Sequence, residues 1–372
     1  MPPAPDAPSG HTRRPGDEGD PKSLFDGTAS SLIEIYQKHK KSPFNKVRYS
    51  TQIAYTDNLR ALKASIGNVR IKHISFDDIS NWQDEFADDG EGGKPMKGRA
   101  AKLIAQFKRV VLFGALVLPK EAGCHDVCDI FAKMAQGRMM DSTQRRRKEY
   151  MLASQCRLLR LKAHEMDYPE IALEQAFAFE LGLRPKDVIG EWIPMKWPGL
   201  SDVIRSNKKW MMGLRWEEID ANLILRHRLS KSIHGAQTVM DPEAGTLKAW
   251  DLKAHPMVID ELARLCGVPV EREKLPAKGP VIVNESSGAP WNHKHFQREW
   301  RKIATAAGIP KNIQNRDSRP GAATEADLAG APKDKTKRML GHARGETTEI
   351  YLREELEVQR ELAKLRVAKR KP

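Results

Sequence analysis

The sequence contains little cysteine and no long apolar segment. Four cysteines in 372 residues are too few for a disulfide framework, so we expect a protein of the reducing cytoplasm. The longest apolar run, residues 110–118, is interrupted by Gly114 and is much shorter than the ~20 residues that span a bilayer, so no membrane partner is expected. Residues 1–23 lack the apolar stretch of a signal peptide and are rich in proline, glycine and charge, which predicts a disordered tail.

Groups of metal ligands are also scarce. Cys124, His125 and Cys128 form a cluster that could suggest a metal site, but no second cluster completes a set of four ligands. Cysteines four residues apart can instead lie on one face of a helix. We therefore expect a structural role for this cluster, and neither a metal ion nor another cofactor.

Acidic residues are outnumbered by basic ones. The chain has 63 Lys and Arg against 49 Asp and Glu, which gives a formal net charge of +14. This excess favours an anionic partner, with nucleic acid as the leading candidate. The chain is also long enough to form two domains with separate cores.

The first half of the chain, residues 24–136, is predicted to be a small helical domain. Ile79, Trp82 and Phe86 recur at helical spacing, and Ser75 begins this helix with a capping-box pattern.

Residues 137–150 interrupt the helical pattern and are predicted to be a linker. They contain an unbroken basic run of four residues: Arg145, Arg146, Arg147 and Lys148. Taken alone, this run could be a solvated stretch or a DNA contact. Its place between two domains favours the DNA contact, because a two-domain protein can close around a duplex there.

The second half, residues 151–355, is predicted to be mainly helical with a small β-sheet. Short strands are expected at 223–225 and 236–240, with Lys231 at the tip of the turn between them. Residues 356–372 are predicted to form a C-terminal helix with a basic tail.

The most specific pattern lies near the end of the chain. Arg319 is followed by Leu340-Gly341-His342 and then by Thr347-Thr348-Glu349-Ile350-Tyr351. Here the sequence resembles the tyrosine recombinase (phage integrase) family, in the residue types and in the gaps between them. Upstream, Leu181-Gly182-Leu183-Arg184 looks like the turn of the family's first catalytic arginine. The Ser230-Lys231-Ser232 turn is similar to the hairpin that carries its catalytic lysine.

The resemblance implies a fold and a set of catalytic roles. Residues 24–136 would be a SAM-like core-binding domain, and the second half would be an α+β catalytic domain. Arg184 and Arg319 would hold the phosphate, since planar guanidinium groups bind two oxygens at once. His342 would donate a further hydrogen bond, Lys231 would protonate the leaving 5'-oxygen, and Tyr351 would be the nucleophile.

The sequence departs from the family pattern in three places. Arg316 stands where a histidine is usual, and Pro320 stands where another histidine is frequent. Arg316 cannot act as a general base at neutral pH, so it is either a further phosphate ligand or a sign of reduced activity. Residues 191–211 form an insertion rich in tryptophan, for which a hydrophobic lid or a packing extension is expected.

The resemblance predicts a site-specific recombinase that integrates or excises a mobile element without a metal ion or ATP. Its partners would be double-stranded DNA attachment sites, on which it would form a homotetramer, and an accessory DNA-bending or directionality factor. It would be cytoplasmic and associate with the nucleoid when bound to DNA. The alternative is a catalytically silent DNA-binding protein of the same fold. The C-terminal helix could dock on a neighbouring protomer or be a frayed basic tail.

Overall fold

The chain forms two compact units, Met1–Arg146 and Arg147–Pro372, each with its own hydrophobic core. The computed structural model describes residues 21–88, 95–139, 148–230, 247–340 and 349–370. Helices dominate both units, so the predicted fold class, mainly α with a small amount of β-structure, is confirmed. Within these ranges no helix is both long and apolar enough to cross a membrane.

The first unit is helical throughout its described part. Its α-helices are α1 (Ala29–Lys38), α2 (Tyr49–Ile66), α3 (Phe76–Ala87), α4 (Lys97–Val117) and α5 (Cys124–Gln136). The capping box of α3 is present, because Ser75 and Asp78 each accept a hydrogen bond from the other's backbone N–H. Helix α4 packs against the other four helices and forms the centre of this core. Cys124 belongs to the core, where burial raises the pKa of its thiol to about 12.

The second unit is built around one buried helix. Its α-helices are α6 (Ala153–Glu165), α7 (Pro169–Glu180), α8 (Pro185–Ile189), α9 (Pro256–Cys266), α10 (His293–Ala306), α11 (Ser318–Leu328), α12 (Lys333–Met339) and α13 (Glu349–Arg370). Every residue of α7 from Glu170 to Glu180 is buried. Helices α6, α8, α9 and α11 pack on it, so α7 connects the elements that carry the predicted site residues.

Three small antiparallel sheets complete the described part of the second unit. Their strands are β1 (Glu191–Pro194), β2 (Ile204–Arg205), β3 (Lys208–Met211), β4 (Ile224–Arg228), β5 (Leu247–Asp251), β6 (Val283–Asn284) and β7 (Ala289–Pro290). Strand β4 pairs with β5, and Arg228 lies opposite Leu247. The predicted strand at 236–240 lies outside the described residues. The observed partner of β4 is therefore a strand that the sequence pattern did not reveal.

The insertion at residues 191–211 forms the three-stranded sheet, in the order β1-β3-β2. Trp210 is buried and donates a hydrogen bond from its indole N–H to the Ile189 carbonyl, 2.8 Å away. Trp192 donates to the Pro290 carbonyl at 3.0 Å and so joins the sheet to β7. The insertion is thus a packing extension, fixed at the end of α8.

The C-terminal helix α13 packs on its own unit. The buried Arg366 donates hydrogen bonds to the carbonyls of Phe179 and Glu180, at 3.0 and 2.6 Å, and forms an ion pair with Glu325. Arg370 pairs with the carboxylates of Glu180 and Glu325. The expectation of a frayed tail is therefore wrong for the described part of this helix.

Candidate active site

Arg184 is positioned by a tight turn between α7 and α8. It is the N-cap residue of α8, and Gly182 just before it has a φ of +62°, in the left-handed region that favours glycine. A Cβ added at Gly182 would lie 3.4 Å from the side chain of Leu340, so the turn packs closely against the end of α12. This contact places Arg184 beside the segment that leads to His342.

Arg319 lies in the first turn of α11 and bridges two turns of the chain. Its guanidinium donates one hydrogen bond to the Gly182 carbonyl at 2.7 Å and another to the Leu340 carbonyl. The first of these carbonyls belongs to the turn that carries Arg184, and the second is two residues before His342. Arg319 therefore joins three of the segments that the motif pattern singled out.

A buried polar network holds the beginning of α11 in place. The Gln175 side chain donates to the Ser318 hydroxyl and accepts from the Trp300 indole, both at 2.9 Å. Beside it, Asn315 donates to the carboxyl group of Glu174 at 2.8 Å. Buried polar groups of this kind have few alternative partners, so the network fixes the position from which Arg319 extends.

The two arginines form a site of concentrated positive charge. Burial and, to a lesser extent, the nearby charge of Arg184 lower the pKa of Arg319 to about 10, while Asp187 acts in the opposite direction. Among the described residues, no carboxylate forms an ion pair with Arg319. Two half-buried guanidinium groups with so little compensation favour an anionic ligand, because an anion would relieve their repulsion.

Asp187 is a site residue that the sequence reasoning missed. Its carboxylate is fully buried and lies 3.6 Å from the Arg184 guanidinium. The other carboxylate oxygen accepts a hydrogen bond from the backbone N–H of Ser230 at 2.8 Å. Asp187 thus connects Arg184 to the residue just before Lys231. The available signal was its spacing, since an acid three residues after an arginine shares one face of a helix with it.

Several predicted residues are not placed by the structure. Lys231 and His342 lie outside the described residues, and so does most of the basic run: Arg145, Arg146 and Arg147. Lys148 is described and is exposed. Tyr351 lies in the first turn of α13, and only its backbone is described.

The helix that carries Tyr351 shares a small core with the helix that carries Arg319. Leu362 of α13 is buried together with Ala322 and Ala326 of α11 and with Met339 of α12. These contacts join α11, α12 and α13 into one packed group. The structure therefore brings Arg184 and Arg319 together and connects both to the element that holds Tyr351.

Arg316 occupies a different environment from this pair. It is exposed on the 3-10 helix Asn315–Asp317 and lines a shallow depression together with Gln297, Arg301 and Lys311. The described hydrogen bonds and ion pairs of Arg184 and Arg319 do not include it.

Comparison with known families agrees with this arrangement. Residues 238–357 match the model of the phage integrase family. The chain carries a phage integrase domain. The segment that matches this family model contains Arg319, His342 and Tyr351 and begins after Arg184 and Lys231. The resemblance to the tyrosine recombinase family is thus confirmed.

Solved integrase structures have the same fold. A shortened lambda integrase, solved as a dimer bound to a COC' core site, has a TM-score of 0.52 and 14% identity, covering 88% of this chain and 94% of that one. The Tn1549 transposon integrase, solved with a circular intermediate DNA, has a TM-score of 0.52 and 13% identity, covering 89% of this chain and 98% of that one. No curated protein sequence matches this chain. At these identities the likeness concerns the fold of the integrase domain and of the helical unit.

Proposed function

We propose that this protein is a site-specific tyrosine recombinase that integrates or excises a mobile element. The observation that carries the proposal is that Arg184 and Arg319 lie close together. Hydrogen bonds from Arg319 to the carbonyls of Gly182 and Leu340 hold the two segments in this arrangement. A phosphodiester in the transition state of cleavage carries extra negative charge on its non-bridging oxygens. A pair of guanidinium groups that lacks full compensation from carboxylates matches that charge.

In the proposed reaction, one phosphodiester bond of the DNA is exchanged for a phosphoester bond to Tyr351. The phenolic oxygen of Tyr351 attacks the phosphorus, the bond to the 5'-oxygen breaks, and Lys231 gives that oxygen a proton. His342 donates a hydrogen bond to the phosphate. The product is a 3'-phosphotyrosyl linkage with a free 5'-hydroxyl. The reverse reaction rejoins the strand, so neither ATP nor a metal ion is required.

Arg316 serves in this proposal as a further phosphate ligand rather than as a base. Its exposed guanidinium shares the surface of a depression with Arg301 and Lys311, a grouping that suits the DNA backbone. Since a guanidinium does not take up protons at neutral pH, the proton of Tyr351 passes to water or to the leaving-group surroundings.

The proposed partner is double-stranded DNA at attachment sites. The net charge of +14 supports binding to the phosphate backbone. The similar lambda and Tn1549 integrases were solved with DNA bound. Residues 24–136 would then act as the core-binding domain, residues 151–355 as the catalytic domain, and the 145–148 run as the contact between them and the duplex. Assembly would give a homotetramer on two sites, with an accessory factor setting direction.

A trapping experiment tests the proposal. The full-length protein is incubated with nicked duplexes from candidate attachment sites, and covalent protein-DNA complexes are separated by denaturing electrophoresis. We expect a covalent band that disappears in Tyr351→Phe and persists in Tyr150→Phe, the matched control at an exposed tyrosine outside the site. Tight binding without any band would instead favour a catalytically silent DNA-binding protein of the same fold.

A further inference from the structure

A buried histidine on β4, the strand that leads to the hydrogen-bond partner of Asp187, Ser230, has no part in the proposed reaction. His227 is on β4, 3% exposed, and its Nδ1 is 3.0 Å from a carboxylate oxygen of Glu218. Glu218 ends the 3-10 helix Trp216–Glu218, which packs against β4. The other ring nitrogen, Nε2, is buried and has no hydrogen-bond partner among the described residues. A buried polar nitrogen without a partner is costly and calls for an explanation.

Asp187 also has a buried polar atom without a hydrogen-bond partner among the described residues. One of its carboxylate oxygens accepts the Ser230 N–H, but the oxygen nearest Arg184 has no hydrogen-bond partner among the described residues. Asp187 is also close enough to His227 to raise the pKa of that imidazole electrostatically. Asp187 and His227 thus each have a buried polar atom without a partner among the described residues, and the segment from β4 to Ser230 connects them.

The charges around His227 favour its protonated form. Glu218 faces it from the 3-10 helix, Asp187 faces it from α8, and Lys248 lies opposite it on β5. Burial lowers the pKa of His227, but the two carboxylates outweigh burial, and the pKa is raised above its ordinary value. The imidazolium is thus held mainly by Glu218.

Protonation of His227 changes the charge that a bound phosphate would meet. A neutral imidazole adds no charge to the group formed by Arg184, Arg319, Lys248, Glu218 and Asp187. An imidazolium adds one positive charge to this group. Because little water screens buried charges, this difference acts strongly on a nearby dianionic transition state.

We propose that His227 is a positioning residue for strand cleavage: held by Glu218, its charged imidazole balances Asp187 and leaves Arg184 free to bind the phosphate. The inference rests on the proposed recombinase function. When His227 is neutral, Arg184 alone balances the negative charge of Asp187. This attraction draws the Arg184 guanidinium away from the substrate. His227 acts through Asp187 and Arg184 and does not touch the reacting atoms.

The first test compares cleavage rates over pH. Single-turnover formation of the covalent complex is measured for the wild-type protein and for His227→Gln, from about pH 6 to about pH 9. We expect wild type to be about tenfold faster at the acid end, with the ratio falling towards one as pH rises through the His227 pKa. Glu218→Gln removes the main stabilising charge, so the fall should move to lower pH.

His164→Gln is the matched control, because His164 also pairs with a glutamate, Glu261, at 2.7 Å but lies outside the site. Its rate relative to wild type should not vary with pH. A ratio for His227→Gln that stays constant over the whole range would show a merely structural role and would overturn the proposal.

A second test does not depend on cleavage. The imidazole of His227 is titrated by NMR in the full-length protein, in wild type and in Asp187→Asn. We expect a raised pKa in wild type and a lower one in the variant. An ordinary pKa in wild type, or one that Asp187→Asn leaves unchanged, would refute the link to Asp187. If wild type forms no covalent complex at all, the recombinase proposal fails, and this titration still decides whether His227 and Asp187 are coupled.

Discussion

The second unit contains two pairs of arginines that differ in what surrounds them. Arg366 and Arg370 of α13 are matched with the carboxylates of Glu180 and Glu325. Among the described residues, Asp187 is the one carboxylate recorded near both Arg184 and Arg319. One pair is thus neutralised within the protein, and the other is left with excess positive charge.

The pKa shifts follow this difference. Burial lowers the pKa of Arg370, but Glu325 and Glu180 outweigh burial, and the pKa is raised. The pKa of Arg319 is lowered to about 10 by burial and by Arg184. In this unit, the arginines that stabilise the fold are therefore distinguished by their carboxylate partners from those proposed to await a ligand.

Replacing Arg319 should have the largest effect, and it should act on catalysis. Arg319→Met removes a guanidinium that would bind the transition state, so we expect the rate of covalent complex formation to fall about 1000-fold. The rate is measured in single-turnover assays on nicked DNA, with binding measured separately by gel shift. A variant whose cleavage rate stays within a few-fold of the wild-type rate would contradict the assignment of Arg319 to the catalytic pair.

The same substitution at Arg366 should act on stability. Arg366→Met leaves two backbone carbonyls and a share of the Glu325 charge without a partner, so we expect a loss of about 3 kcal/mol in the free energy of unfolding. Urea unfolding of the second unit provides the measurement. Arg360→Met, in the more exposed ion pair with Asp251, is the control and should cost less than about 1 kcal/mol. Equal losses in both variants would contradict the claim that Arg366 stabilises the fold through its buried contacts.

Two buried acids on α7 extend the comparison. Burial alone would raise the pKa of Glu180, but His255, Arg366 and Arg370 lower it below its usual range. No arginine in the described ranges pairs with Glu174, and burial raises its pKa to about 8.

Glu174→Gln should therefore change how stability depends on pH. With a raised pKa in the folded state, the stabilising contribution of Glu174 is complete below its unfolded value of 4.5 and is lost as pH rises through about 8. At about pH 9 we expect the variant to be more stable than wild type by about 2 kcal/mol, and at about pH 4 to be equal. Thermal unfolding at both pH values measures this. An advantage that does not grow with pH would show that Glu174 is not buried as a neutral acid.

Arg316→Ala should have the smallest effect. Because Arg316 is exposed and lies apart from the described contacts of the arginine pair, its loss should slow cleavage about tenfold without abolishing it. Rates are compared with those of Lys311→Ala, which lines the same depression. Complete loss of cleavage with normal DNA binding would place Arg316 inside the catalytic group.

Much of the fold could be predicted because its signals are local. The capping box and the apolar spacing of α3 depend on neighbouring residues, and the motif pattern identified Arg184 and Arg319. The partner of β4, the burial of Asp187 and the docking of α13 could not be predicted in this way. Each depends on residues far apart in sequence, such as Arg366 and Glu180, and a basic C-terminal segment looks the same whether it is solvated or buried.

The most direct test of the account is to map the covalent linkage. The trapped complex is digested with protease and nuclease, and the peptide that carries a nucleotide adduct is identified by mass spectrometry. The account predicts a 3'-phosphonucleotide on the peptide that contains Tyr351, at full yield in wild type and strongly reduced in Arg319→Met. An adduct on any other residue, or DNA that is bound at its site and never linked, would contradict it.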